Sequence, residues 1–284
     1  MPTPRRLVIV GLGNYTHPLT RHSVGQVLLK NLASKAASIP DSTGSPHLEL
    51  SKNSGGRGSK SLFFGGSNSS SWTTKITIPR PRSFTTGTTT TTTSGDVDDD
   101  KLEILFVLPR ALMNVCGKTI VESTKDFLPP LSSPPSPSPT PSATPSPSPS
   151  RPTTPTTSIR TKGKTPQQKT PEPLKPILKL LVLSDDLDLS PSQTRVQRSG
   201  GPRGHNGVRS LVSALGSRKD FWKFWIGIGR PFGKERGEGV SKWVLEPLGR
   251  EEVEKCEWDE EKGKGGEVLE KAWKEVLRIG FEEE

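Results

Sequence analysis

Cysteine is scarce in this chain. Cys116 and Cys256 are its only two, and they lie far apart in separate predicted helices, which argues against a disulfide scaffold or a zinc cluster and fits a reducing compartment. Long apolar runs are also missing. No segment approaches the roughly 18 consecutive apolar residues a membrane span requires, so no membrane partner is expected. Hydrophobic residues make up only 29% of the 284 positions, so much of the chain cannot be core. The first expected strand begins near residue 6, which leaves no room for a signal or transit peptide ahead of the fold. The expected compartment is the cytosol, with a mitochondrial pool delivered without a recognisable presequence as the alternative.

Proline and small polar residues are abundant instead. Residues 129–176 hold more than half of the 28 prolines, interleaved with serine and threonine as in Ser133-Pro134-Pro135-Ser136-Pro137. Such a run buries too little apolar surface to offset chain entropy, and is expected to be a disordered or polyproline-like insertion. A second stretch, about 52–101, carries a threonine run from Thr88 to Thr93 and the acidic Asp98 to Asp100, and reads as a further insertion. What remains, about 185 to 200 residues, suits one compact domain. Forty Lys and Arg against 30 Asp and Glu give a net charge of +10, compatible with a polyanionic partner. Part of that excess falls in the proline-rich run, at Arg151, Arg160, Lys162, Lys164 and Lys169.

Between these stretches, strand and helix patterns alternate. Leu7-Val8-Ile9-Val10 reads as a buried parallel strand, and Val24, Val27, Leu28 and Leu32 recur at helical spacing. Further strands are expected at Glu103 to Leu108, Ile177 to Leu183, Arg195 to Arg198 and Phe221 to Gly229, with weaker ones near Leu62 to Phe64 and at Lys75 to Ile78. Helices are expected over Leu112 to Phe127, His205 to Leu215, Glu251 to Cys256 and Glu267 to Arg278. This alternation predicts an α/β fold: a single domain with a central mixed β-sheet flanked by helices, a phosphorylase/hydrolase-like sandwich.

Polar blocks sit where these strands pass into helices, which is where α/β sheets build clefts. Gly11-Leu12-Gly13 invites a dinucleotide-binding turn, but position 16, where a third glycine would fall, is Thr16 and no helix begins there. His22 has a stronger claim. It precedes a helix N-terminus, where the dipole opposes imidazolium and leaves the ring able to accept a proton. Asp185, at a strand end, can orient that ring, while the amides of Asn14 and Asn206 can polarise a carbonyl. His, Asp and Asn without an elbow-mounted nucleophile suggest a base that activates water. Ser23 and Ser184 are the rival nucleophiles of a serine esterase.

Taken in order, Leu7 to Asn14, Thr20 to Gly25, Pro109 to Gly117, Asp185 to Leu189, Gly200 to Leu211 and Ile226 to Pro231 resemble the bacterial-type peptidyl-tRNA hydrolase family. The resemblance implies a monomeric, cofactor-free and metal-free α/β enzyme whose partner is peptidyl-tRNA, cleaved at the ester that joins peptide to ribose. It makes His22 the general base, Asp185 the carboxylate that holds it, and Asn14 the asparagine associated with telling peptidyl-tRNA from free aminoacyl-tRNA. Asn114 and Asn206 would hold substrate, and Leu112 would lie beside the tRNA end. Arg203 and Lys223, with Arg195, Arg198 and Arg209, are expected to meet tRNA phosphates. His17 stands where the family usually has an aromatic residue, and Ser184 where many members have histidine. The alternative expectation is an RNA-binding protein that keeps the fold without turnover.

Overall fold

The computed structural model describes residues 5–46, 49–50, 71–81, 101–128, 178–231 and 238–281. The chain falls into two compact units, Met1–Leu131 together with Ile177–Glu284, and Ser132–Pro176. The second unit, with most of the expected 129–176 insertion and the weak strand near Leu62, lies outside the described residues.

The first unit is built on a mixed eight-stranded sheet. Its centre is parallel: β1 (Arg5–Gly11) lies between β5 (Lys101–Pro109) and β6 (Leu178–Asp186), and β8 (Phe221–Gly227) pairs with the far side of β6. Antiparallel strands close both margins. β7 (Thr194–Arg198) pairs β8, β4 (Ser71–Pro79) pairs β5, and the short β2 (Thr43–Gly44) and β3 (Glu49–Leu50) pair β4. A two-stranded hairpin, β9 (Trp258–Asp259) and β10 (Lys264–Gly265), stands apart.

Side-chain alternation explains why the central strands are apolar at most positions of both faces. Leu7 and Ile9 of β1 join Ile104, Phe106, Leu181, Leu183, Phe224 and Ile226 in one core, against α1 (Val24–Ala37) and α6 (Glu267–Phe281). Val8 and Val10 join Leu105, Val107, Leu180, Val182 and Trp225 in a second core, against α2 (Cys116–Thr124) and α3 (Asn206–Ala214). A strand buried on both faces must be apolar at odd and even positions alike. The architecture is the expected α/β sandwich.

Two expectations need correction, and one helix was unforeseen. β4, nine residues long with Ile76 and Ile78 fully buried, lies inside the 52–101 stretch read as an insertion, so that stretch is not wholly insertional. Threonine and serine dominate it, yet antiparallel pairing along all of β5 and two buried isoleucines suffice to hold it. The helix expected from Leu112 to Phe127 is only Cys116–Thr124, since residues 112–115 form a turn closed by the Val115 amide on the Leu112 carbonyl. Finally, α4 (Glu238–Leu245) was not expected from the sequence.

Candidate active site

The sheet is filled in opposite directions on either side of the β1–β6 pair: after β1 the chain goes to the margin at β4 and returns to β5 beside β1, and after β6 it goes to the other margin at β7 and returns to β8 beside β6. In open α/β sheets a cleft opens at the carboxyl ends of the strands at such a point. Asp185 and Asp186 end β6, and a single 3₁₀ turn, Arg21–Ser23, delivers His22 beside them before α1 begins. From the opposite face of the sheet, His205 caps α3.

The three side chains form one hydrogen-bonded unit. His22 Nδ1 lies 2.8 Å and His205 Nε2 2.9 Å from the same oxygen, Asp185 Oδ1. The Val208 amide donates to His205 Nδ1 at 3.2 Å, so His205 accepts there and donates from Nε2 to Asp185. With its own Nδ1–H given to Asp185, His22 keeps Nε2 as its basic atom. Asp185 is 3% exposed, yet burial, which acts to raise its pKa, is outweighed by the two histidines and their hydrogen bonds, and the carboxyl lies well below its ordinary range. At His22, burial acts to lower the pKa, but the Asp185 charge and hydrogen bond prevail and raise it above the ordinary 6.5.

These side chains border a cavity of about 260 Å³, which Arg203, Asn206, Asp186, Asp188, Arg230 and residues of α4 also line. Asn206 borders in addition a shallower groove of about 590 Å³ between α2 and α3, where Asn114, Lys118 and Arg209 lie. Asp188 takes Arg230 at 2.6 Å and Arg203 at 3.4 Å, and Arg203 also reaches Asp186 at 3.2 Å. Both arginines at the rim are therefore partly neutralised.

Of the residues singled out from the sequence, His22, Asp185, Arg203 and Asn206 meet at the cavity, and Asn114 shares the groove with Asn206. Asn14 borders neither. Its Oδ1 accepts from the Thr16 amide and hydroxyl, tying down the loop that leads to His22. Leu112, also outside both linings, is 58% exposed.

Lys223 is the misplaced expectation. It lies in the buried face of β8 between Phe221 and Trp225, its Nζ 4.0 Å from the Phe221 ring centre and donating to the carbonyls of Lys219 and Phe221. A fully buried ammonium does not reach tRNA phosphates. Periodicity places Lys223 in the inward row; only its charge suggested a surface. Burial pushes its pKa down to about 8, with Asp220 opposing weakly. Between about pH 8 and the ordinary 10.5 the unfolded chain therefore binds more protons than the folded one, and stability rises with pH through this window. Lys223→Met is accordingly expected to raise the unfolding midpoint at pH 7, with the advantage shrinking toward pH 10. Thermal melts at the two pH values check this, and a lower midpoint at pH 7 would contradict it.

The serine-nucleophile reading loses its candidates. Ser23 is fully buried, and its Oγ bonds the Asn14 amide and carbonyl, the His17 carbonyl and the Thr20 hydroxyl, a knot that shapes the loop before His22. Ser184 is fully buried and borders neither cavity nor groove.

His22, Asp185 and His205 also offer donor atoms within 4.8 Å of one another, the spacing of a metal site. The donor set does not suit one. A metal at His205 Nε2 would move the ring proton to Nδ1, against the Val208 amide that now donates to it. His205 lies in a polar block that the sequence singles out but received no role there, although its place as predicted first residue of a helix beside Asn206 was a usable signal.

Fold and site together define a class: an α/β protein with a carboxylate-held histidine facing a cavity at the sheet's carboxyl edge. Comparison with known proteins then narrows it. Residues 153–277 match the sequence model of the family described as Peptidyl-tRNA hydrolase. Over 73 residues the chain is 49% identical to a peptidyl-tRNA hydrolase of Rhodospirillum centenum, covering 26% of this chain and 30% of that protein. Over 83 residues it is 42% identical to a mitochondrial peptidyl-tRNA hydrolase of Oryza sativa subsp. japonica, covering 29% and 32%. A crystal structure of peptidyl-tRNA hydrolase from Acinetobacter baumannii aligns with a TM-score of 0.47 at 19% identity, over 99% of this chain and 97% of that one. Over these segments the chain is similar to peptidyl-tRNA hydrolases, and the matches span about a third of the length of these curated relatives. The family match includes Asp185, His205 and Asn206, while His22 lies outside it and reaches them through the fold.

Proposed function

We propose that this chain hydrolyses the ester between a peptide, or an N-blocked amino acid, and tRNA, and so recycles tRNA from prematurely released peptidyl-tRNA. The observation that carries this reading is the hydrogen-bonded His22–Asp185 pair at the cavity, 2.8 Å apart. His22 Nε2 takes a proton from water, and the hydroxide adds to the ester carbonyl. Asp185, ionised throughout, stabilises the imidazolium that forms and keeps Nε2 turned to the cavity. The Asn206 amide, which lines the cavity, donates to the developing oxyanion, a contribution typically worth about 10²- to 10³-fold. As the tetrahedral intermediate collapses, His22 returns the proton to the ribose oxygen. Asn114 and Asn206 hold substrate along the α2–α3 groove. The loop carrying Asn14 senses whether the amine is blocked, Leu112 lies beside the tRNA end, and Arg203 steers phosphate.

In this reading the chain is one monomeric domain interrupted by the 129–176 insertion and acts in the cytosol. None of its described helices is long and apolar enough to cross a membrane. The intact pair disfavours the alternative of a non-catalytic RNA binder, because RNA binding alone would not require a base held by a buried carboxylate.

Release of N-acetyl-amino acid from N-acetyl-aminoacyl-tRNA, with EDTA present and unblocked aminoacyl-tRNA as control, tests the proposal. Turnover that spares the control is expected. A folded protein that binds tRNA without turnover would overturn it in favour of the RNA binder.

A further inference from the structure

Arg21 does not line the cavity, yet it touches the elements that frame it. Its guanidinium stacks 4.0 Å from the centre of the Trp243 ring in α4. Nη1 pairs with Glu252 Oε1 at 2.7 Å and reaches the Ile228 carbonyl just beyond β8 at 3.4 Å. Glu252 lies in α5 (Arg250–Glu254), and its other oxygen accepts the Gly249 amide at 2.7 Å, fixing the start of that helix. Trp243 in turn donates from Nε1 to the Gly229 carbonyl at 2.9 Å.

The backbone repeats the connection. Arg21 N donates to Glu246 O and Leu248 N to Leu19 O, each at 2.9 Å, and Thr20 bridges Pro247. The segment just before His22 is therefore laced to the segment just after α4, while Val240, Ser241 and Val244 of α4 line the cavity. The Arg21–Glu252 pair is largely shielded, at 14% and 13% side-chain exposure, so it is screened little by salt.

We propose that Arg21 is a positioning residue: its Trp243 stack to α4 and its Glu252 pair to α5 hold the His22 turn and the α4–α5 segment as one rigid unit beside the cavity. The inference rests on the hydrolase reading for its kinetic consequence only. A planar guanidinium stacks its face on the ring while one edge nitrogen, Nη1, pairs with the carboxylate, a combination a compact ammonium does not match. Loss of the clamp lets His22 drift relative to the wall that seats the substrate, and a misplacement near 1 Å is worth about 10²-fold in rate.

The test uses the full chain and the variants Arg21→Met, Arg21→Lys, Trp243→Leu and Glu252→Gln. It combines amide hydrogen exchange with kcat and KM on N-acetyl-aminoacyl-tRNA. Arg21→Met, Arg21→Lys and Trp243→Leu are expected to speed exchange in α4 while β1 and β6 stay protected, and to lower kcat about 10- to 10²-fold with KM changed less. Glu252→Gln should give smaller effects of the same sign, and decides the matter if the Arg21 variants do not fold. α4 exchange unchanged in the folded variants, or raised with kcat intact, would overturn the proposal. If wild-type protein hydrolyses nothing, the hydrolase reading falls, while the exchange data still decide whether the clamp exists.

Discussion

Replacing His22 with alanine is expected to lower kcat on N-acetyl-aminoacyl-tRNA by about 10²- to 10⁴-fold while KM and tRNA binding change little. The imidazole's work lies in the transition state, where it carries a proton that it does not carry in the ground state. Asp185→Asn should be comparably damaging, because the carboxylate, its side chain only 3% exposed, stabilises the imidazolium. The two variants differ in what pH reveals. In the wild type the base works as neutral imidazole, so activity falls as pH drops through the raised His22 pKa, with a midpoint above 6.5. Asp185→Asn removes the charge that raises that pKa and leaves burial, which lowers it. The residual activity should then persist to lower pH than in the wild type. Profiles of kcat/KM between about pH 5 and 9 check the sign, and an acid limb that does not move would separate the histidine's titration from Asp185.

Gly25→Ala is expected to disrupt the fold rather than the chemistry. A Cβ at Gly25 would lie 2.4 Å from the Leu183 carbonyl oxygen and 2.7 Å from that of Leu12, both backbone atoms of the strand ends that position the site. No rotamer change relieves such a contact. The first turn of α1 would have to lift off β1 and β6, at a cost of about 3 kcal/mol or more. For a domain of this size that is a fall in melting temperature on the order of 10 °C. Gly201→Ala, where a Cβ meets nothing within 4 Å, is the control and should melt close to wild type. Equal melting of the two variants would refute the close-packing argument.

How much of this was legible beforehand follows from what each feature depends on. Strands buried on both faces are apolar at most positions, so β1, β5, β6 and β8 announced themselves within a residue or two at most ends. The polar blocks at their carboxyl ends pointed to His22, Asp185 and Asn206 because charged and amide side chains there have few structural reasons to exist. β4 was half hidden, since its threonines are held by pairing with β5 rather than by pattern.

The order of residues alone thus determined the α/β layering, which rests on local periodicity, and offered His22 and Asp185 as candidates at the ends of their elements; the fold brings the two together across 163 positions. Only the tertiary structure decided that His205 shares that carboxylate, that Lys223 is buried, and that Arg21 joins the His22 turn to α4. Each of these depends on which face of one element meets which end of another, and strand order and packing set that geometry.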